Sequence, residues 1–396
     1  MPEDEGSQES PDFSLVLGGP LFQLFRRTHL SGDALELMGR RILIISLVAW
    51  LPLLVLALLG GQVLGGSVKI PFLGDIEMHV RFLIALPVLI AAELIVHSNI
   101  RPVIQQFAAR RIIIAEEVPK FHAAVNSALR VRNSVVAELA VLVVVYTVGH
   151  WTWRNGVALE QASWYATPDR TSLNLTYAGY WLAFVSIPLF HFILLRWYMR
   201  LLTWFWLLWR ISKLTLRLTP THPDRAGGLG FLGDTVHAFA PILFAQGTLL
   251  AGLIASRIFY DGQALMTFKV EASILVVVFL LFFLVPFTFF SGQLTRAKRK
   301  GLREYGILAS RYMQEFHEKW VQGGAPPTEE LLGSGDIQSL ADLGNSVAVV
   351  RQMRFVPFGM NTVIILVAAT VAPILPLILT VFSAEEVLVK VIEILL

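Results

Sequence analysis

The sequence predicts an all-α, polytopic transmembrane helical bundle of about seven spans, N-terminus in the cytoplasm and C-terminus outside, with amphipathic interfacial helices and a cytoplasmic helical hairpin. Three observations carry this. Apolar residues make up 55% of the 396 positions and charged residues 15%, against about 25% charged in soluble domains. The apolar residues gather in stretches near the about 17–25 residues that a helix needs to cross the hydrocarbon. Of the 32 Lys and Arg, 25 fall in segments 1–41, 97–134, 196–236 and 292–358. The positive-inside rule places those segments in the cytoplasm.

Taken in order, Met1–Asp12 is acidic, lacks the basic lead of a signal peptide and reads as a disordered cytoplasmic tail. Phe13–Leu24, followed by Arg26 and Arg27, reads as an in-plane interfacial segment. Asp33 can cap a short helix running into Arg40 and Arg41. The spans are Ile42–Leu59, Val80–Val96, Val135–Trp151, Tyr177–Leu195, His237–Ser256, Ala272–Ser291 and Met360–Phe382. All but the third carry proline, at 52, 87, 188, 241, 286, 373 and 376, which frees carbonyls and kinks helices. The two prolines of the last span also suit a re-entrant hairpin. The outer tail, Ala384–Leu396, is apolar with three glutamates. The chain has no cysteine, so disulfide and thiolate chemistry are excluded.

Four units result: 1–41, a tail and interfacial helix; 42–292, the bundle, with a helical segment at 101–133 and a loop at 218–236; 293–358, the hairpin; and 359–396, the last span and tail. In 101–133 two helices are expected, separated near Pro119. The first arm of the hairpin carries Arg296, Lys298, Arg299, Lys300 and Arg303. A stripe at Leu302, Tyr305, Leu308, Tyr312, Phe316 and Trp320 has helical spacing. Gly323–Pro327 breaks the arm, and Asp336 can cap the second. Such a stripe ordinarily packs on the protein's own underside. Docking a partner is its functional reading.

The stretch from Tyr177 to Asp234 stands at the centre. Read as one helix to Arg217 it would be roughly 60 Å long, twice the hydrocarbon thickness, so its second half leaves the membrane or lies along it. Arg196, Arg200, Arg210, Lys213 and Arg217 share one side, and Trp197, Leu201, Trp204, Phe205, Leu208 and Trp209 the other. That division suits the headgroup layer, with the five cations on anionic lipid headgroups. Pro220 and Pro223 end the helix. Gly228–Gly233 has the spacing of a dinucleotide fingerprint but follows no strand. His222-Pro223-Asp224 matches the J-domain tripeptide without a soluble hairpin around it. What remains is a turn built on Gly227, Gly228, Gly230 and Gly233, offering free amides to an anion, with His222 and Asp224 beside it and Asp234 as cap of the next helix.

Charged groups inside a membrane are costly and usually face a cavity or a partner. Glu93, His97, Glu138 and His237 fall at one depth near the cytoplasmic face, with Gln246 further along the fifth span. They suggest a polar vestibule that selects cations or relays protons, making the chain an ion, proton or small-solute conduit. The alternatives are a non-catalytic assembly or regulatory protein acting through the hairpin, and a membrane enzyme holding a metal on the same carboxylates and imidazoles. No zinc-protease signature is present. His150 and His191 lie at unmatched depths, so haem is not expected, nor any other cofactor. The expected partners are the bilayer, its anionic headgroups and other copies of the chain, not nucleic acid.

The His222–Gly233 stretch, with Tyr305–Ala309 and Asp336–Leu343, resembles a family of bacterial polytopic inner-membrane proteins with no assigned activity. The resemblance implies membrane placement and no chemistry.

Overall fold

Lipid offers no partner to a backbone N–H or C=O, so the apolar runs fold as helices that satisfy their own main chain. A computed structural model describes residues 13–27, 37–64, 68–149, 163–168 and 173–381. The helices are α1 (Pro20–Arg27), α2 (Met38–Leu59), α3 (Ile76–Ala109), α4 (Ala115–Arg132), α5 (Val135–Gly149), α6 (Tyr177–Ser212), α7 (Phe231–Asp261), α8 (Leu265–Val321), α9 (Gly335–Gln352) and α10 (Met360–Thr380). Six of these, α2, α3, α6, α7, α8 and α10, are long and apolar enough to cross a membrane. The pair α4 and α5, bent by 46°, makes a seventh if it forms one broken span. The chain is therefore an all-α, multi-pass membrane bundle. A short antiparallel pair, β1 (Ala166–Pro168) with β2 (Leu173–Leu175), is joined to α6 through Thr176. The acidic tail, the Asp33 cap, His150 and the tail from Ala384 lie outside the described residues.

Among the spans, α7 is the most enclosed and α10 the least. Small residues let α7 approach its neighbours closely, as membrane helices do without a water-driven force between them. Gly247 faces the main chain of α10 at Thr370, and Gly252 faces Val80 on α3.

Several boundaries differ from the sequence reading. α3 continues through Arg101 and Pro102 to Ala109, and the break comes at 110–114 instead of Pro119. Pro119 sits in the first turn of its helix, where its missing N–H leaves nothing unpaired. α8 runs without interruption from the sixth span into the first arm of the hairpin. Asp336 does not cap the second arm. It accepts hydrogen bonds from Lys319 Nζ and Trp320 Nε1, both at 2.8 Å, and ties the two arms together. Those bonds hold its carboxyl below the usual carboxylate range. Asp234 lies inside a helical turn that begins after Gly230, so it is not the cap either.

The N-terminal segment also departs from expectation. Phe13, Leu15 and Val16 are buried in the core of the bundle instead of lying in the headgroup layer. Phe13 packs on Trp204 with ring centroids 6.2 Å apart.

Candidate functional site

On α3 the buried face Leu89, Ile90, Ala92, Val96, Ile100 is interrupted by one carboxylate, Glu93. A lone carboxylate in this setting would cost several kcal/mol (order of magnitude), so it must be paired. Arg41 at the start of α2 donates to Glu93 Oε2, and Arg200 Nη1 on α6 donates to Oε1 at 2.7 Å. One turn before Arg200, Arg196 places Nη1 3.6 Å from Glu93 Oε1 and Nε 3.1 Å from Glu138 Oε1 on α5. Glu93 and Glu138 thus converge, with a guanidinium between them. The planar fork of arginine lets one side chain serve two carboxylates, which a lysine point charge does less well.

The cluster ties four helices together and continues into the N-terminal segment. Arg200 Nη2 donates to the Val16 carbonyl at 3.4 Å. Ser14 Oγ and His97 Nδ1 are 2.9 Å apart, and Arg132 donates to the Ser14 carbonyl. Three guanidinium groups against two carboxylates leave the five side chains with one net positive charge. Every one of the five is buried. Chemically this is a charge-pairing lock, with both Glu93 oxygens and Glu138 Oε1 held by arginine.

The predicted vestibule residues therefore divide. Glu93 and Glu138 share the cluster, and His97 is held by Ser14 beside it. His237, near the start of α7, and Gln246, further along it, have buried Nε2 atoms with no hydrogen-bond partner among the described residues. Of the five cations assigned to lipid headgroups, Arg196 and Arg200 are 4% and 3% exposed. That assignment is corrected for both: they face inward on the same side of α6 as Trp197 and Trp204, because the glutamates there need them. Arg210, Lys213 and Arg217 are exposed. Arg210 lies over Trp206 and Lys213 over Trp209, at 5.5 Å and 5.6 Å.

The glycine turn is likewise not free. The Asp224 carboxylate accepts the amides of Ala226 at 2.7 Å, Gly230 at 2.8 Å and Gly228 at 3.2 Å. The anion that the turn was expected to attract is supplied by the chain itself. Burial alone would raise the Asp224 carboxyl, but these amide bonds and His222 prevail and hold it below its ordinary value. His222 Nδ1 lies 2.9 Å from Asp224 Oδ1. Gly227 and Gly228 have positive φ, at 65° and 99°, which a side chain would strain. A Cβ on Gly230 would press on Asp224, and one on Gly233 would strike the Pro357 carbonyl.

This turn is the socket for the base of the hairpin. Arg354 donates its amide to the Arg225 carbonyl at 2.7 Å and its Nη2 to the Asp224 carbonyl at 2.8 Å. Met353 is buried beside Gly227, and Lys298 Nζ donates to the Met353 carbonyl at 2.7 Å. Asp224→Ala is expected to speed hydrogen exchange of the Ala226, Gly228 and Gly230 amides by at least about tenfold, the equivalent of roughly 1.4 kcal/mol, as charge-assisted bonds of this kind are worth at least that much. The pH dependence has a definite sign. A depressed carboxyl stabilises above its unfolded value of about 4, and that stabilisation is lost as the pH falls through the folded value. Exchange at these amides should therefore be protected near neutrality and should loosen, relative to intrinsic rates, only in acid.

Sequence reasoning missed Arg41 and Ser14, which come from outside the apolar spans. It also missed a second polar group at the opposite end of α3. There Asp75 caps the helix through the Met78 amide at 3.1 Å and accepts Trp164 Nε1 at 2.9 Å. Trp50 Nε1 donates to His79 Nδ1 at 2.9 Å nearby. An aspartate just after Gly74, with Glu77 in the turn that follows, was the available signal for that cap. Among the described residues, no three His, Cys, Asp or Glu side chains gather so as to hold a metal ion. Comparison with family models, curated proteins and solved structures finds no match to this chain.

Proposed function

We propose that the protein is a non-catalytic assembly or regulatory protein of a bacterial inner membrane, docking a partner through its α8–α9 hairpin on the cytoplasmic side. The observation that supports this is the exposure of the hairpin's apolar residues. Ile307, Leu308, Met313 and Ile337 are 67%, 50%, 59% and 46% exposed, whereas Tyr305, Tyr312, Phe316 and Trp320 of the stripe are half-buried. Large apolar side chains left uncovered on both arms offer a partner contact area. The Asp224 socket gives the hairpin a firm base, and the arms are locked to each other by Asp336. Arg296, Arg299, Lys300 and Arg303 are exposed at its foot, which favours a partner helix with an apolar face and acidic flank.

The conduit reading is less well supported. A pathway needs carboxylates that face water, and both glutamates here face guanidinium groups. The assembly reading is tested by photo-crosslinkers placed at Ile307, Met313 and Ile337 in cells. Adducts to another protein are expected at all three positions, and Ile307→Asp with Met313→Asp should reduce them at least about tenfold, since charge in a docking core costs over 1.4 kcal/mol. Recovery of self-contacts alone, or of nothing, would sink the reading.

A further inference from the structure

A continuous groove runs down the outer side of α6, and its character changes along its length. The first part lies between α5 and α6 and encloses about 560 Å³. Its walls are Ala140, Val141 and Val144 on one side and Leu195, Tyr198 and Leu202 on the other. Val131 and Trp206 join this part to a second, of about 520 Å³, at the α4–α5 bend. There the lining becomes polar: Ser127, Arg130, Ser134 and Arg210. Arg210 continues into a third part of about 310 Å³, lined by Lys120, Lys213 and Glu117.

The gradient has the shape of one kind of molecule. From Leu195 to Lys213 the groove follows α6 for about 27 Å at ~1.5 Å per residue. One leaflet, hydrocarbon and headgroup together, is about 20 Å deep. The apolar part lies along the apolar lengths of α5 and α6, and the cations sit at its basic end, beside a tryptophan of the kind that marks the interface. Four cations face a single carboxylate, Glu117, which is paired with Lys120 at 3.0 Å. Neither Arg130 nor Arg210 pairs with a carboxylate among the described residues. Arg130 is braced by Ser127 at 3.0 Å and Arg210 by the Trp206 ring. Braced guanidinium groups are suited to binding a phosphate oxygen by two parallel bonds.

We propose that this groove is a binding site for an anionic phospholipid. An acyl chain lies between α5 and α6, and the phosphate lies between Arg130 and Arg210. The site is separate from the buried cluster, whose arginines are already taken by Glu93 and Glu138, and from the hairpin.

The test uses the full chain in nanodiscs of phosphatidylcholine with a minor fraction of phosphatidylglycerol, and counts retained lipids by native mass spectrometry after detergent extraction. The intact protein should retain phosphatidylglycerol in preference. Arg130→Gln with Arg210→Gln should weaken that preference about thirty-fold, since each cation at an anionic surface is worth roughly a factor of five. Ala140→Trp fills the apolar part and leaves every cation in place; it should release the lipid while the variant still unfolds at the parent temperature. Inorganic phosphate at millimolar concentration should not displace the lipid. An unchanged preference in the double variant, unchanged retention in Ala140→Trp, or competition by inorganic phosphate would each overturn the proposal, the last by making it a site for free anions.

Discussion

Glu93→Ala is expected to destabilise the protein by about 3–5 kcal/mol, the usual consequence of removing one partner from a buried ion pair. The reason is the three guanidinium groups it leaves behind. Arg41 and Arg200 lose their carboxylate, and Arg196 keeps only Glu138. Water reaches none of them, so mutual repulsion replaces neutralisation. The measurement is thermal unfolding in detergent, with folding yield as the companion readout. The informative control removes Glu93 together with the two guanidinium groups hydrogen-bonded to it and leaves the Arg196–Glu138 pair in place. Arg41→Met, Glu93→Leu and Arg200→Met together should recover most of the loss, because apolar groups of similar volume replace buried pairs at little cost. If the triple variant is no better than Glu93→Ala, the cluster is more than a structural lock and the conduit reading regains its footing. A direct check of that reading is flux. Glu93→Gln and Glu138→Gln in liposomes should leave ion and proton permeation as it is in the parent.

Gly247→Ala should cost about 1–3 kcal/mol, near the upper end for one added methyl in a packed site. The new carbon would fall well inside contact distance of the Thr370 carbonyl, and Pro373 stands beside it. A flexible side chain could swing aside, whereas a helix main chain cannot, so α10 must move as a body. Because the chain has no cysteine, a single Thr370→Cys reports this movement. Thr370 is buried against α7, so labelling should be slow in the parent and fast in the Gly247→Ala background. The same change at Gly306 should have the opposite sign. Nothing lies near a Cβ built there, and alanine in a helix is favoured over glycine by about 0.5–1 kcal/mol.

The two substitutions show why one part of this protein could be read early and another could not. Gly247 and Gly306 look alike in the sequence, each in a helical run. They differ only in what lies across from them. The same holds for the arginines of α6. Arg196, Arg200 and Arg210 follow one helical spacing, and spacing alone put them all on the lipid side. Two of them turn inward because Glu93 and Glu138 from other helices are there to meet them. The depth of those glutamates was legible from their position within spans. Their convergence, and the guanidinium between them, was not. The glycine turn was legible as a turn that attracts an anion, but not that Asp224, four residues before Gly228, would be that anion.

The apolar runs, their length and the uneven placement of Lys and Arg were sufficient to determine a multi-pass helical bundle, because the bilayer acts on each segment separately and admits only helices that pair their own main chain. The tertiary structure alone decided which charges are paired, that Phe13, Leu15 and Val16 enter the core, and that Ile307 and Met313 of the hairpin stay uncovered. Each of these depends on contacts between segments far apart in the chain, and a buried charge takes its meaning from whichever distant side chain comes within hydrogen-bonding reach.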